Sequence, residues 1–393
     1  MKELLSRISP DRIAADLWRL VNIPSPTCHE HAVLAAYADL LRAAGAEVEV
    51  IDRAPAAPLI VGRLKGGSPG PTLQFAGHAD HINVPHAAPA RDGDTISGRG
   101  SADMKNGLAA ILEIVRVLAG CRAAFRGTVL VTAYGLHEAP DGDSAAILDL
   151  IRRRIVGDAA IVMEGVTSGE GSAVVSGKGQ SVWNIALRRA GGPCHEIMRP
   201  PDADDLLATG ITLLSTLRKK DAELRAATKD RPLLGAESLF IGQAHYGDFY
   251  NRAPSVMTFQ GTRRWHPGHD FAFVQKELSD ILAHVPRPAG LKIEANWCFV
   301  GESYEMNPAE PIVQALRGAH EAITGKPMPL AGSAVVTDAN RLIPFGHVPT
   351  VLCGVDHDTA HADFEHVNIP RVATGCRIAL RTALEYLNGK ATI

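Results

Sequence analysis

In the first half of the chain, short unbroken apolar runs alternate with longer stretches in which apolar residues recur every three or four positions. That recurrence puts apolar side chains on one face of a helix, so residues 14–20, 31–44, 108–118 and 144–154 are predicted helices. Residues 46–51, 59–64, 72–76, 128–133 and 159–163 are runs of strand length between them. Strand and helix in alternation predict a largely parallel sheet covered on both faces. After about Ser176 the pattern changes. Residues 182–188 alternate like a half-exposed strand, 202–218 carry one long helical pattern, 256–261 and 291–298 read as strands, and 271–283 as a helix. Two strand–helix units in succession predict a small separate α+β sheet. From Pro311 the first pattern returns, with a helix to residue 323, an apolar strand at 348–353 and a final helix at 369–387. The expected fold is α/β: a mostly parallel, doubly wound sheet domain in two parts, 1–180 and 299–393, interrupted by a smaller α+β lid at 181–298.

Composition agrees with this and narrows the partners. At 393 residues the chain exceeds the size at which one core keeps growing, so two domains are expected. A net charge of -3 gives no reason to expect nucleic acid or an anionic membrane surface as partner. The first sixteen residues carry charges throughout, unlike a signal peptide, and no run approaches the roughly 20 apolar residues that span a bilayer. The six cysteines, Cys28, Cys121, Cys194, Cys298, Cys353 and Cys376, show no CxxC spacing, which fits reduced thiols in a cytoplasmic protein. The expected location is therefore the cytoplasm.

Chemistry concentrates where predicted strands end. Gly77-His78-Ala79-Asp80 closes the strand at 72–76, and Gly98-Arg99-Gly100-Ser101-Ala102-Asp103-Met104-Lys105 opens the helix at 108–118. Glu138 follows the strand that ends near Tyr134, Glu164 follows the strand at 159–163, and His361 lies in the loop after Cys353. The carboxyl ends of strands in an open α/β sheet share one crevice, so His78, Asp103, Glu138, Glu164 and His361 can converge. Any one of them alone reads as a solvated loop side chain. Two imidazoles and three carboxylates together suit a pair of divalent ions.

The order and spacing of these residues resemble the M20 metallopeptidases and amidohydrolases, a family that includes acetylornithine deacetylase, succinyl-diaminopimelate desuccinylase, glutamate carboxypeptidase and aminoacylase-1. The resemblance runs from Ile23-Pro24-Ser25-Pro26 and Glu30 to the final helix. Its most specific matches are Gly77-His78-Ala79-Asp80, Gly98-Arg99-Gly100 with Asp103, Lys105 and Gly107, then Met163-Glu164, and His361 with Glu365. It implies that His78, Asp103 and Glu164 hold one ion and Asp103, Glu138 and His361 the other, with Asp103 bridging. Zinc is the expected metal, with manganese or cobalt as alternatives. Asp80 would accept the second N–H of His78. The peptide between Asp103 and Met104 would be cis. In the lid, His195 after Gly191-Gly192-Pro193-Cys194 would polarise the scissile carbonyl, and in dimeric members that histidine reaches the partner subunit's site, which favours a homodimer. Asn251 and Arg264 fall where the family binds a substrate carboxylate, with Arg263 as the neighbouring alternative to Arg264. Gly332-Ser333 and Thr337-Asp338 resemble the segment that lines the pocket near that acid group.

One position departs from the family. Where members carry two consecutive glutamates, the first a general base, this chain has His137-Glu138. Three readings follow. His137 is the base, or His137 is an added ligand with the base drawn from Asp141 or Asp143, or the site binds metal without hydrolysing ordinary amides. Other histidines and nucleophiles carry less. His266 and His269 are expected in a turn facing solvent or the lid groove, and His29-Glu30-His31 lacks the four-residue spacing of the helical zinc motif. His357 is an alternative ligand to His361, Ser101 sits in no GxSxG elbow, and Cys194 beside His195 is mere adjacency. The expected activity is metal-dependent hydrolysis of a C–N bond in a small carboxylate-bearing substrate, such as an N-acyl amino acid or dipeptide. The rivals are hydrolysis of a non-peptide C–N bond, as in deamination of an aromatic amino acid, and a metal-retaining binding protein.

Overall fold

The computed structural model describes residues 1–165, 171–354 and 356–389. The chain divides into two compact units, one of Met1–Val175, Met306–Ala331 and Thr337–Ile393, the other of Ser176–Glu305 with Gly332–Val336. Among the described residues, no helix is long and apolar enough to cross a membrane. All six cysteines are free thiols.

The larger unit is built on a six-stranded sheet in the order Glu47–Arg53, Ala56–Lys65, Arg126–Tyr134, Ser68–His78, Ala159–Val162, Thr350–Leu352. The last four strands run parallel. Ala159–Val162 is buried at every position, as a central strand covered on both faces must be. The first two strands form an antiparallel hairpin at one edge, so the sheet is mixed. Glu47, Glu49 and Arg53 on the outermost strand put charge on the open edge, which discourages further pairing. Helices Pro10–Val21, Asn106–Ala119, Pro311–Thr324 and Ile369–Leu387 contribute Leu17, Leu20, Ile111, Val115, Leu316, Val372 and Leu380 to one core. The segment after residue 306 therefore completes the same core as the amino-terminal part.

Local chemistry fixes several of these helices. Pro10–Val21 starts with Pro at its first turn, and the Ser9 side chain accepts from the Arg12 amide. Ile369–Leu387 is capped the same way by Asn368, which accepts from Arg371. Asn106–Ala119 can pack down on the sheet because residue 107 is glycine: a Cβ there would meet the Met163 carbonyl oxygen at 2.1 Å. Helices Lys2–Ser6 and Ala339–Gly346 lie outside the elements expected from the sequence.

The smaller unit is a four-stranded antiparallel sheet in the order Ser238–Tyr246, Val256–Trp265, Gly179–Arg188, Lys292–Gly301. Val256–Trp265 alternates buried and half-buried positions along its whole length, the signature of a sheet covered on one face. Trp183, Ile185, Leu187, Phe259 and Trp265 of the sheet pack against Leu206, Leu213 and Leu217 of helix Asp202–Thr228 and Val274 and Leu278 of helix Phe271–Ala283. The long helix runs ten residues beyond the predicted 218. Strand Ser238–Tyr246 was not predicted. It is an edge strand, mostly exposed, so it lacks the apolar alternation that marks its neighbours.

Candidate active site

Parallel pairing brings the site together. His78 and Tyr134 end adjacent strands and are register partners, and Glu164 follows the next strand, Ala159–Val162. His78 Nε2 lies 3.2 Å from Asp103 Oδ1, and His361 Nε2 lies 3.2 Å from Asp103 Oδ2 and 3.1 Å from Glu138 Oε1. Asp103 thus turns one carboxylate oxygen to each of two imidazoles. Ligand atoms of His78, Asp103 and Glu138 fall within 4.8 Å of one another, as do those of His78, His137 and Glu164, and those of Asp103, Glu164 and His357. His361 is half exposed, while the rest of the cluster is largely buried.

Buried carboxylates behind this cluster hold its backbone. Asp80 Oδ2 accepts from the amides of His137 at 2.9 Å and Glu138 at 3.0 Å, and from the Thr27 hydroxyl at 3.1 Å. His78 Nδ1 is 3.1 Å from the Asp80 carbonyl oxygen and 3.4 Å from its Oδ1. The shorter contact is to the backbone because the carboxylate is turned toward the two amides. Glu30 Oε1 accepts from the amides of Cys28 and Leu136, each at 2.9 Å, and a Cβ at Gly135 would meet the Glu30 carboxyl carbon at 2.4 Å. Glu365 accepts from Arg99 at 3.1 Å and from the amides of Gly100, Ala102 and Asp103 at 3.1, 2.9 and 3.1 Å. It fixes the turn that presents Asp103. The Asp103–Met104 peptide is cis, as the resemblance implied. Lys105 donates to the carbonyls of Leu20 at 3.1 Å and Ile23 at 2.9 Å, and burial pushes its pKa down to about 7.

Charge in the cluster is strongly coupled. Burial works against the cationic form of His78, but Asp103 and Asp80 outweigh it and raise the pKa well above the usual imidazole range. Asp103 moves the opposite way: burial opposes its charge, and His361 and His78 hold it well below the carboxylate range. Asp103 and Glu138 lift His361 to about 10. Glu164 is pushed up to about 7 by burial, with Asp103 adding repulsion, and its Oε2 has no hydrogen-bond partner among the described residues. A buried carboxylate oxygen left so is costly unless a cation completes it. Imidazole nitrogens and carboxylate oxygens in this number fit divalent zinc, manganese or cobalt.

His137 occupies a distinct position. Its ring stacks on His78 with centroids 3.9 Å apart, and its Nδ1 lies 3.0 Å from Asp338 Oδ1. The Tyr134 hydroxyl donates to Asp338 Oδ2 at 2.5 Å. Burial and the charge of His78 oppose a cationic His137, yet Asp338 outweighs them and the pKa is raised. Asp141 and Asp143, the alternative bases, are exposed, and Asp143 accepts from the Ala145 amide at 2.8 Å. The partnership with Asp338 was not visible in the sequence; the only signal was the pocket-lining segment Thr337-Asp338. Thr337 is buried, its amide donates to Asn340 at 2.9 Å, and its hydroxyl has no partner among the described residues.

Of the remaining expected residues, His195, Asn251, Arg263, Arg264 and His266 lie in the smaller unit. His195, exposed at the end of strand Cys194–His195, has its Nε2 3.3 Å from Asn251 Nδ2. Arg263 is fully buried between Glu237 at 2.7 Å and Glu277 at 3.0 Å, so its guanidinium is committed to the core. Arg264, on the opposite face of the strand, donates to the Ala334 carbonyl. Only Arg264 stays available of the two. His266 does not face solvent: it is buried, with its amide on Glu237 at 3.1 Å and Nε2 2.6 Å from the Gly235 carbonyl oxygen. His357 Nε2 stands 3.9 Å from Asp103 Oδ2, farther than His361.

The family model of peptidase family M20/M25/M40 matches residues 73–385. A succinyl-diaminopimelate desuccinylase of Cereibacter sphaeroides is 26% identical over 389 residues, 96% of this chain and 99% of that one. A protein of the same name from Methylobacterium radiotolerans is 34% identical over 157 residues, 36% of this chain and only 38% of its own length. Among solved structures, an M20 family metallo-carboxypeptidase from Sulfolobus solfataricus shares the fold with a TM-score of 0.79 at 17% identity, covering 96% of this chain and 99% of that one. With the match running from the strand that carries His78 to the final helix, the chain belongs to the M20/M25/M40 peptidase family and is a hydrolase.

Proposed function

We propose that this hydrolase cleaves the C–N bond of a small carboxylate-bearing substrate, such as an N-acyl amino acid or dipeptide. The observation that carries the reading is Asp103, with one oxygen toward His78 and the other toward His361. His78, Asp103 and Glu164 would hold one divalent ion and Asp103, Glu138 and His361 a second. Zinc is the first choice, with manganese or cobalt as alternatives. Such ions supply Lewis acidity that polarises a carbonyl and lowers the pKa of an attacking water.

The chain's own groups do the rest. His137 accepts the water's proton at Nε2 and hands it to the departing amine, a role worth about 10²–10⁴ in rate. Asp80 holds the amides of His137 and Glu138, so base and ligand keep one spacing. His195 donates a hydrogen bond to the carbonyl oxygen as negative charge develops there, worth about 3 kcal/mol. Asn251, Arg264 and Thr337 bind the substrate's carboxylate end, Arg264 through its fork of donors. The smaller unit serves as lid and dimerisation domain of a cytoplasmic homodimer. The desuccinylase names among the relatives favour acyl-amino-acid substrates. His137 in place of a carboxylate favours a second reading, hydrolysis of a non-peptide C–N bond such as deamination of an aromatic amino acid.

The test is elemental analysis of chelator-free protein followed by a panel of N-acyl amino acids, dipeptides and aryl amines with zinc, manganese or cobalt. Two ions per chain and amide turnover that vanishes in His78→Ala and Asp103→Ala support the proposal. Turnover surviving both substitutions refutes the site, and turnover of aryl amines alone selects the second reading.

A further inference from the structure

His137 and Asp338 are 201 positions apart in the chain, yet they meet at 3.0 Å through Nδ1 and Oδ1. Asp338 is fully buried, and its other oxygen takes the Tyr134 hydroxyl at 2.5 Å. Its position is rigid as well: it precedes helix Ala339–Gly346, and its carbonyl accepts from the amides of Arg341 at 3.0 Å and Leu342 at 2.9 Å. An ionised carboxylate only accepts hydrogen bonds, so the nitrogen facing it must be the one that carries the proton. A neutral imidazole then has a bare Nε2. The ring cannot swing to exchange its nitrogens freely, because one face lies on His78, 1° from parallel. A ring nitrogen of His137 also falls within 4.8 Å of ligand atoms of His78 and Glu164.

From this geometry we infer that Asp338 is a positioning residue that locks His137 into the Nδ1–H tautomer and leaves the Nε2 lone pair for the active centre. The inference deepens the proposed role of His137 and rests on that reading for its catalytic consequence. It makes the histidine substitution a matched pair: the ring at 137 is useful because a buried acceptor stands at 338. In serine hydrolases the equivalent aspartate-to-asparagine exchange leaves geometry intact and lowers kcat about 10⁴-fold by imposing the wrong tautomer.

The experiment is long-range proton–nitrogen NMR of the histidine rings in the full, zinc-loaded chain, with His137→Gln used to assign the ring. Asp338→Asn preserves shape, and Asp338→Ser, too short to reach the ring, is the second variant. The parent ring is expected to carry its proton on Nδ1, and both variants to move or share it toward Nε2. In the same samples kcat on an N-acyl amino acid should fall about 10²–10⁴-fold, with KM and zinc content unchanged. A merely structural aspartate would lower zinc content and melting temperature together. A parent ring protonated at Nε2, or a ring spectrum unchanged in both variants, overturns the inference. The spectrum is read without substrate, so a parent that hydrolyses no amide refutes the proposed reaction and leaves the tautomer assignment standing.

Discussion

The rings of His78 and His137 lie face to face, 3.9 Å between centroids and 1° from parallel. The two rings meet different carboxylates, His78 meeting Asp103 at 3.2 Å and His137 meeting Asp338 at 3.0 Å. Under the proposed mechanism the two rings have separable roles, His78 as ligand and His137 as base. Replacing His137 by Gln is expected to lower kcat about 10²–10⁴-fold while metal content stays at two ions per chain. His137→Glu, which restores the carboxylate common in the family, should recover part of that rate. Steady-state kinetics with elemental analysis on the same preparations decide it, since an ion lost along with the ring makes His137 a ligand.

Glu365 is the second anchor. One buried carboxylate accepts from Arg99 and from three consecutive-turn amides, ending at that of Asp103 itself. Glu365→Gln cannot satisfy all of these donors with one carbonyl oxygen, so the turn loosens and Asp103 loses its aim. Partners behind metal ligands typically set about 10–100-fold in metal affinity. Chelator competition should show a weakening in that range for Glu365→Gln, whereas a surface control such as Asp39→Asn shows none.

How much of this was legible in the sequence depends on distance along the chain. The strand ends that carry His78, Glu138 and Glu164 follow from local apolar runs, and the final helix emerged with both its predicted limits, Ile369–Leu387. The glycines beside these ligands were readable as motif, though only the structure shows that Gly107 permits contact with the Met163 carbonyl oxygen. Edge strand Ser238–Tyr246 was missed because exposure on both sides erases alternation. The Asp338 partnership was missed for another reason. No local pattern encodes which buried acceptor a ring nitrogen will find 201 residues away.

Proton linkage gives the metal site a predictable pH response. In the metal-free protein Asp103 and Glu138 raise His361 to about 10 from an ordinary 6.5. A raised pKa means that protonation stabilises the folded state. That contribution is full below about pH 6.5 and is lost as pH rises through about 10. A metal ion needs the neutral ring, so binding must expel the proton. Metal affinity should therefore increase with pH across this window, and calorimetry in buffers of different ionisation enthalpy should register proton release on binding. His361→Gln should bind metal less tightly and release fewer protons; equal release in parent and variant would place the titration elsewhere.

In the smaller unit, fully buried Arg263 joins strand Val256–Trp265 to buried Glu237 at 2.7 Å and to partly exposed Glu277 of helix Phe271–Ala283 at 3.0 Å. Burial opposes the charge of Glu237, but Arg263 and the His266 amide outweigh it and hold its pKa below the ordinary 4.5. A lowered carboxylate pKa contributes stability that is complete above about pH 4.5 and fades as pH falls through the folded-state value. Removing the carboxylate leaves the buried guanidinium with Glu277 alone and part of its donor fork unmatched, so Glu237→Ala should cost about 1–3 kcal/mol at neutral pH. The same substitution should cost progressively less on acidification, because the parent loses the interaction as Glu237 protonates. Urea unfolding of parent and variant from pH 7 to pH 3 should give converging curves. Parallel curves would mean that packing of the side chain, and not its charge on Arg263, stabilises this unit.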